Sequence, residues 1–162
     1  MFKIGDKVVY PMHGAGIIEG IEEKEFLGKC QRYYVLRLPI KEMKVMLPTE
    51  NVDRLGLRDI VPEGIISEVL TILGSTRSIM SANWNRRYRD NMEKVKTGDI
   101  HDVAEVVRDL QLMEKEKGLS TGERKMLSNT RQILVSELVL VQNIARQEVE
   151  SIIDSTIYHN QS

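Results

Sequence analysis

The hydrophobic period of this chain changes once, near residue 60, and that change constrains the fold more than any other feature. Before it, KVVYP, GAGIIEGIEE, CQRYYVLRL and KVMLP are short runs rich in Val, Ile, Leu and Tyr, separated by Gly, Pro and charged clusters at hairpin-like intervals. After it, apolar residues recur every three to four positions, as helices buried along one side require. An α+β fold follows, with five short strands in about 55 residues preceding about five helices. Isolated strands cannot protect their edges, so the first part is expected to close or half-close into a small barrel. The expected units are residues 1–55 and 60–160.

Local signals refine the division. Pro11 and Pro48 fall at strand ends, where a missing N–H does least harm. Gly14-Ala15-Gly16 is read as a turn between strands, not the start of a helix, which disfavours a dinucleotide-binding loop. VPEGIISEVLTIL carries a proline early and stops at Gly74; a polar loop, STRSIMSAN, leads into WNRRYRDNMEKVK. Asp99 can cap the next helix, which Gly118 closes, and Ser120 with Glu123 forms a capping-box pattern. In the long helix that follows, Leu127, Leu134, Leu138 and Val141 make one apolar row and Met126, Ile133 and Leu140 another. Two adjacent rows predict burial over a wide face in the middle of a bundle. RQEVESIIDSTIYH supplies the last amphipathic helix.

Composition excludes several functions. No apolar run approaches the roughly 20 residues of a membrane span, and MFKIGDKVVY lacks the apolar core of a signal peptide, so a cytoplasmic protein is expected. Cys30 is the only cysteine, which rules out an internal disulfide or a cysteine-based zinc cluster. His13, His101 and His159 are scattered without metal spacing or a Ser/His/Asp set, so neither metal, cofactor nor catalysis is expected. Net charge is −1, unevenly spread: residues 1–55 hold nine Lys/Arg against eight Asp/Glu, residues 56–97 seven against five, and residues 98–162 seven against eleven. A local basic patch on a near-neutral body will not hold DNA tightly unaided.

That patch surrounds the single tryptophan, in 83-NWNRRYRDN-91. Residues 84–96 contain five basic side chains (Arg86, Arg87, Arg89, Lys94, Lys96) against Asp90 and Glu93. Arg86 and Arg89, three apart, share a helix face. Cations at a helix start cost a few tenths of a kcal/mol each against the macrodipole, and a bound anion would convert that cost into attraction, with free N–H groups and guanidinium groups meeting the same phosphates. The pattern alone favours a core tryptophan with solvated arginines over a functional one, by a small margin.

Two stretches resemble a known family. 2-FKIGDKVVYPMHGAG-16 with 47-LPTENVDRLGLRDIV-61 is similar to the N-terminal module of the CarD/CdnL transcription regulators, which also occurs in the transcription-repair coupling factor. 84-WNRRYRDNMEKVKTGD-99, 103-VAEVVRDL-110, 118-GLSTGERKML-127 and 131-RQILVSEL-138 resemble the family's C-terminal domain, and this half separates the two possibilities. The resemblance runs almost end to end. It implies a Tudor-like, SH3-like barrel that binds the RNA polymerase β subunit and a helical domain that contacts promoter DNA. Trp84 would wedge into the minor groove at the upstream edge of the transcription bubble, without marked sequence specificity, and Arg86, Arg87 and Arg89 would hold phosphates. The open complex would thereby live longer. The polymerase contact maps to Lys24, Phe26 and Met46, with Lys44 nearby. Arginine is common in the family where this chain has Lys24 and Met46, so the contact is expected to be weaker, more apolar, or shifted onto Lys44.

A non-enzymatic regulator brought to the nucleoid by polymerase is thus expected, as a monomer, with dimers through the apolar face of the last helix left open. A competing reading is an adaptor that binds polymerase and another protein without touching DNA.

Overall fold

A computed structural model describes residues 1–159. Residue 160, the expected end of the helical unit, lies outside the described residues. Five antiparallel strands come first: β1 (Lys7–Tyr10), β2 (Gly14–Phe26), β3 (Lys29–Leu38), β4 (Met43–Pro48) and β5 (Arg58–Asp59), in the order β4-β3-β2-β1-β5. Five helices follow: α1 (Ile66–Leu73), α2 (Trp84–Lys96), α3 (Ile100–Glu116), α4 (Thr121–Gln142) and α5 (Arg146–His159). The α+β class is as expected, a Tudor-like β unit followed by a helical one. β5 lies beyond residue 55, where Val8 and Val9 of β1 pair with Asp59 and Arg58.

Strand alternation sorts the sheet into two faces. Tyr34, Leu36 and Leu38 of β3 point inward with Val8, Ile18 and Leu47, and Val52 and Leu57 from the β4–β5 connection complete this core. The separate helical core centres on Val69 and Leu73 of α1, Val107 and Leu110 of α3, Leu134 and Leu138 of α4, and Val149, Ile153 and Ile157 of α5. Burying each such side chain stabilises the fold by about 1.5–3 kcal/mol. The anticipated caps are present: Asp99 accepts from the His101 amide, and Ser120 and Glu123 form the reciprocal capping box.

Two features differ from the sequence expectation. Gly14 and Gly16 do not form a turn, which is made instead by residues 11–13; they open β2, where neighbouring groups come too close for a side chain. A Cβ on Gly16 would stand 2.1 Å from the Arg37 carbonyl oxygen, and one on Gly14 would meet Ser136 Oγ at 2.9 Å. The second difference is in α4. Its buried stretch is continuous from Ile133 to Leu138, whereas Leu127, Leu140 and Val141 are only half-buried. A helix with one neighbour buries a stripe; here the bundle covers one side and the start of β2 the other. Ser136 faces the sheet and accepts a 2.8 Å hydrogen bond from the Ala15 amide.

Gly16→Ala should therefore lower stability by about 1–3 kcal/mol, the usual cost of overpacking, because the obstacle is backbone and cannot swing aside. Denaturant unfolding checks this, and an unchanged midpoint would contradict the close approach of β2 to β3.

Candidate nucleic-acid interface

Trp84 is the first residue of α2, and Asn83 before it caps the helix, its side-chain oxygen accepting from the Asn85 and Arg86 amides at 3.0 and 3.2 Å. The inward stripe of α2 is Tyr88, Asn91, Met92 and Val95. With about 3.6 residues per turn, Trp84 falls on that same stripe. It overhangs the end of the bundle, however, and 53% of its surface is exposed. A core-like spacing thus coexists with an exposed indole.

The arginines divide into two kinds. Arg86 and Arg89 lie on the solvent side, exposed, and form no ion pair among the described residues. Arg87 turns inward. Its Nε and Nη2 donate to both carboxylate oxygens of Glu123 at 2.7 Å, and Nη1 donates to the Ser81 carbonyl at 3.1 Å. With the Arg87 side chain 12% exposed and Glu123 1%, this is a buried two-point pair. Sequence reasoning grouped Arg87 with the phosphate clamps; its fork is already occupied, so it braces the segment carrying Trp84 instead. The hydrogen bond from Arg87, outweighing burial and helped by Ser120, holds the Glu123 carboxyl below the usual range.

A second set of bonds pins the α1–α2 loop that delivers Trp84. The Ser78 amide donates to Asp109 Oδ1 at 3.0 Å, Arg108 Nη2 donates to Ser78 Oγ at 2.7 Å, and Ser78 Oγ donates to Glu105 at 3.2 Å. Lys94, otherwise part of the basic stretch, is paired with Glu105 at 2.6 Å. The free N–H groups expected at the start of α2 are largely taken, since the Arg87 amide also bonds the Asn83 carbonyl. Attraction for an anion there rests on Arg86, Arg89 and the helix dipole.

The other expected residues share one face of the sheet. Met46 pairs with Val35 and Val35 with Gly20, so Gly20, Glu22, Lys24 and Phe26 of β2 point to the same side as Lys44 and Met46 of β4. Lys24 and Phe26 stand on a two-stranded ribbon that extends past the end of β4. Phe26 is 73% exposed, and next to it Leu27, which sequence reasoning missed, is exposed too. Leu27 and Gly28 both have positive φ, a tight two-residue turn that puts an apolar side chain where Asn is usual. Lys44 bonds Glu19 at 2.7 Å across the face.

No group of three His, Cys, Asp or Glu is placed to hold a metal ion among the described residues. No described helix is long and apolar enough to cross a membrane.

Residues 68–154 match the CarD C-terminal domain, and residues 2–61 match the CarD-like/TRCF RID domain. The chain belongs to the CarD/CdnL family. It is 46% identical over 151 residues to YdeB of Bacillus subtilis (strain 168), provisionally described as a transcription factor, which covers 93% of this chain and 99% of that one. A solved N-terminal fragment of CdnL from Myxococcus xanthus is also 46% identical, covering 38% of this chain and 86% of its own, with a TM-score of 0.33. Within this CarD/CdnL chain, the helical match contains Trp84 and every residue that braces it, whereas Lys24, Phe26, Lys44 and Met46 fall in the RID match.

Arg87→Ala strands a buried carboxylate and should cost about 3–5 kcal/mol, whereas Arg86→Ala and Arg89→Ala should stay within about 0.5 kcal/mol of wild type by chemical denaturation. The pH dependence has a definite sign. A carboxyl lowered by folding stabilises above its unfolded pKa of about 4.3, and that contribution disappears as pH falls through the folded value. Acid titration of the melting temperature should accordingly show a smaller loss below about pH 4 in Arg87→Ala than in wild type.

Proposed function

We propose that this CarD/CdnL-family protein is a non-enzymatic regulator of transcription initiation. The outer face of its sheet binds the RNA polymerase β subunit, and Trp84 stabilises the open promoter complex by entering the minor groove at the upstream edge of the bubble. The observation that carries this is a half-exposed indole held on a capped, braced helix start, beside two arginines with no ion-pair partner among the described residues. Arg86 and Arg89 hold phosphates; Arg87 supports Trp84 through Glu123 and Ser81.

Unstacking a base step costs a few kcal/mol, and an aromatic ring in the gap returns a similar amount, so such a wedge favours melting without reading sequence. Phosphate contacts fix its position. If the wedge acts only in the open form, about 1.4 kcal/mol shifts the open-to-closed ratio tenfold. Two phosphate contacts give weak, salt-sensitive binding to free DNA. Tethering to polymerase raises the effective concentration and keeps the protein from dispersing over the genome.

Trp84→Ala should reduce the lifetime of open complexes formed with the cognate polymerase to nearly the value without the protein, while the variant still co-purifies with polymerase. An unchanged lifetime with a folded variant would favour the adaptor that makes no DNA contact. Phe26→Ala should instead weaken polymerase binding by about 1–2 kcal/mol, five- to thirty-fold in Kd, and leave saturating activity intact.

A further inference from the structure

Polymerase docking and DNA wedging are assigned to different units, so what holds one unit relative to the other matters. Arg58 of β5 uses all five of its N–H donors. Nε and Nη2 donate to the Gly98 carbonyl at 3.0 and 2.8 Å, Nη2 and Nη1 donate to the Glu137 carboxylate at 2.7 and 2.8 Å, and Nη1 also donates to the Asp59 carbonyl at 2.9 Å. Glu137 lies on α4, only 4% of its side chain exposed, and its second oxygen takes the Val61 amide as well, at 2.9 Å. Gly98 follows the C-terminal end of α2. From the other side Pro11, in the β1–β2 turn, packs so tightly that a Cβ on Gly98 would be 2.8 Å from its ring, and the adjacent Met12 packs against the helical core. The sheet therefore grips α2 at the end opposite Trp84.

Lever geometry makes that grip consequential. Thirteen residues of helix span about 20 Å, so a tilt of about 10° at Gly98 displaces the indole by about 3 Å. That is close to the roughly 3.4 Å spacing of stacked bases. The geometry points to Arg58 as a positioning residue: its bridge from β5 to Glu137 and to the Gly98 carbonyl sets the aim of Trp84 relative to the polymerase-facing side of the sheet. An ion pair serving stability alone would need Glu137 but not Gly98. Lysine would not reproduce it, because its three donors leave one nitrogen, whereas the guanidinium places five on three nitrogens in a rigid plane. The consequence for open complexes rests on the function proposed above; the mechanical part does not.

The test uses the full chain. Cys30, the sole cysteine and exposed on the sheet ribbon, takes one spin label, and Glu93→Cys on the exposed side of α2 takes the other. The expected wild-type distance distribution is single and narrow. Arg58→Met with Glu137→Met removes both charges at once and avoids a stranded buried carboxylate; it should broaden or shift that distribution. Arg58→Lys, a milder change, should give an intermediate result. In the variants without labels, the concentration giving half-maximal polymerase binding should be unchanged, while open-complex lifetime at saturation falls at least threefold. Trp84→Ala should lose lifetime with no change in distance. A narrow wild-type distribution in the double variant overturns the inference, as does a broadened one with full lifetime when Trp84→Ala has lost it. Failure of both Arg58 variants to fold would assign the residue to stability alone and overturn it too. A silent Trp84→Ala sinks the wedge and the functional half of this proposal, and the distance measurement then decides the mechanical half by itself.

Discussion

Inside the protein Arg58 meets both oxygens of Glu137, and this bond depends on the sheet and the helices being assembled as they are. A buried carboxylate without a partner costs several kcal/mol, so any arrangement of the two units that separates β5 from α4 is disfavoured by that amount. Ser136, the preceding residue on α4, adds a hydrogen bond to the first turn of β2, and Gly14 leaves the room for it. A buried ion pair is often no more stabilising than an apolar pair of the same volume. What it does supply here is direction, since a guanidinium fork bonded to a carboxylate and a carbonyl permits one orientation where Leu against Val would permit several.

The same device recurs where Trp84 is presented. Ser120 caps α4, and the Glu123 carboxylate accepts from the Ser120 amide while it receives the Arg87 fork, so the start of α4 and the start of α2 share one buried charge. Asp109 and Arg108 hold Ser78 and thereby the loop that leads to Asn83. An exposed indole would ordinarily be held loosely, because the apolar contacts that immobilise a core tryptophan are missing. In this chain polar bonds behind it fix the helix start that carries the indole, while the indole itself is half open to solvent.

Much of this architecture could be read from the sequence, for reasons that also explain what could not. The change of period near residue 60, the stops at Gly74 and Gly118, and the caps at Asp99 and Ser120 are local, and local patterns survive into the fold. The role of Arg87 was hidden because its partner is 36 positions away, and Arg58 and Glu137 are separated by 79. Nothing in one dimension distinguishes a charge that seeks water from one that seeks a buried counter-ion. The wide buried face of α4 was legible from its two apolar rows, but the sheet packed over Ser136 and Glu137 was not, because neither residue carries an apolar letter. Gly16 looked like part of a turn, because a glycine required by close backbone approach has the same letter as one required by positive φ, which Gly14 beside it does have. Trp84 sat on the core stripe by spacing, and only where the bundle ends could show that it overhangs.

The division of labour among the basic residues follows from these constraints. Of the cations that make residues 84–96 look like a DNA patch, Arg87 and Lys94 are committed to Glu123 and Glu105, and Lys96 lies 3.7 Å from Glu93. Arg86 and Arg89 are left, on one face, one helical turn apart. On the proposed function, so small a charge is an advantage: each added phosphate contact would strengthen binding to any duplex, melted or not, and binding common to both states cannot shift an equilibrium between them. Only the indole, which needs an unstacked step to enter, discriminates. Charge spent on internal bracing instead sharpens the position from which it does so, and a near-neutral protein then has reason to reach DNA through polymerase and little tendency to bind elsewhere.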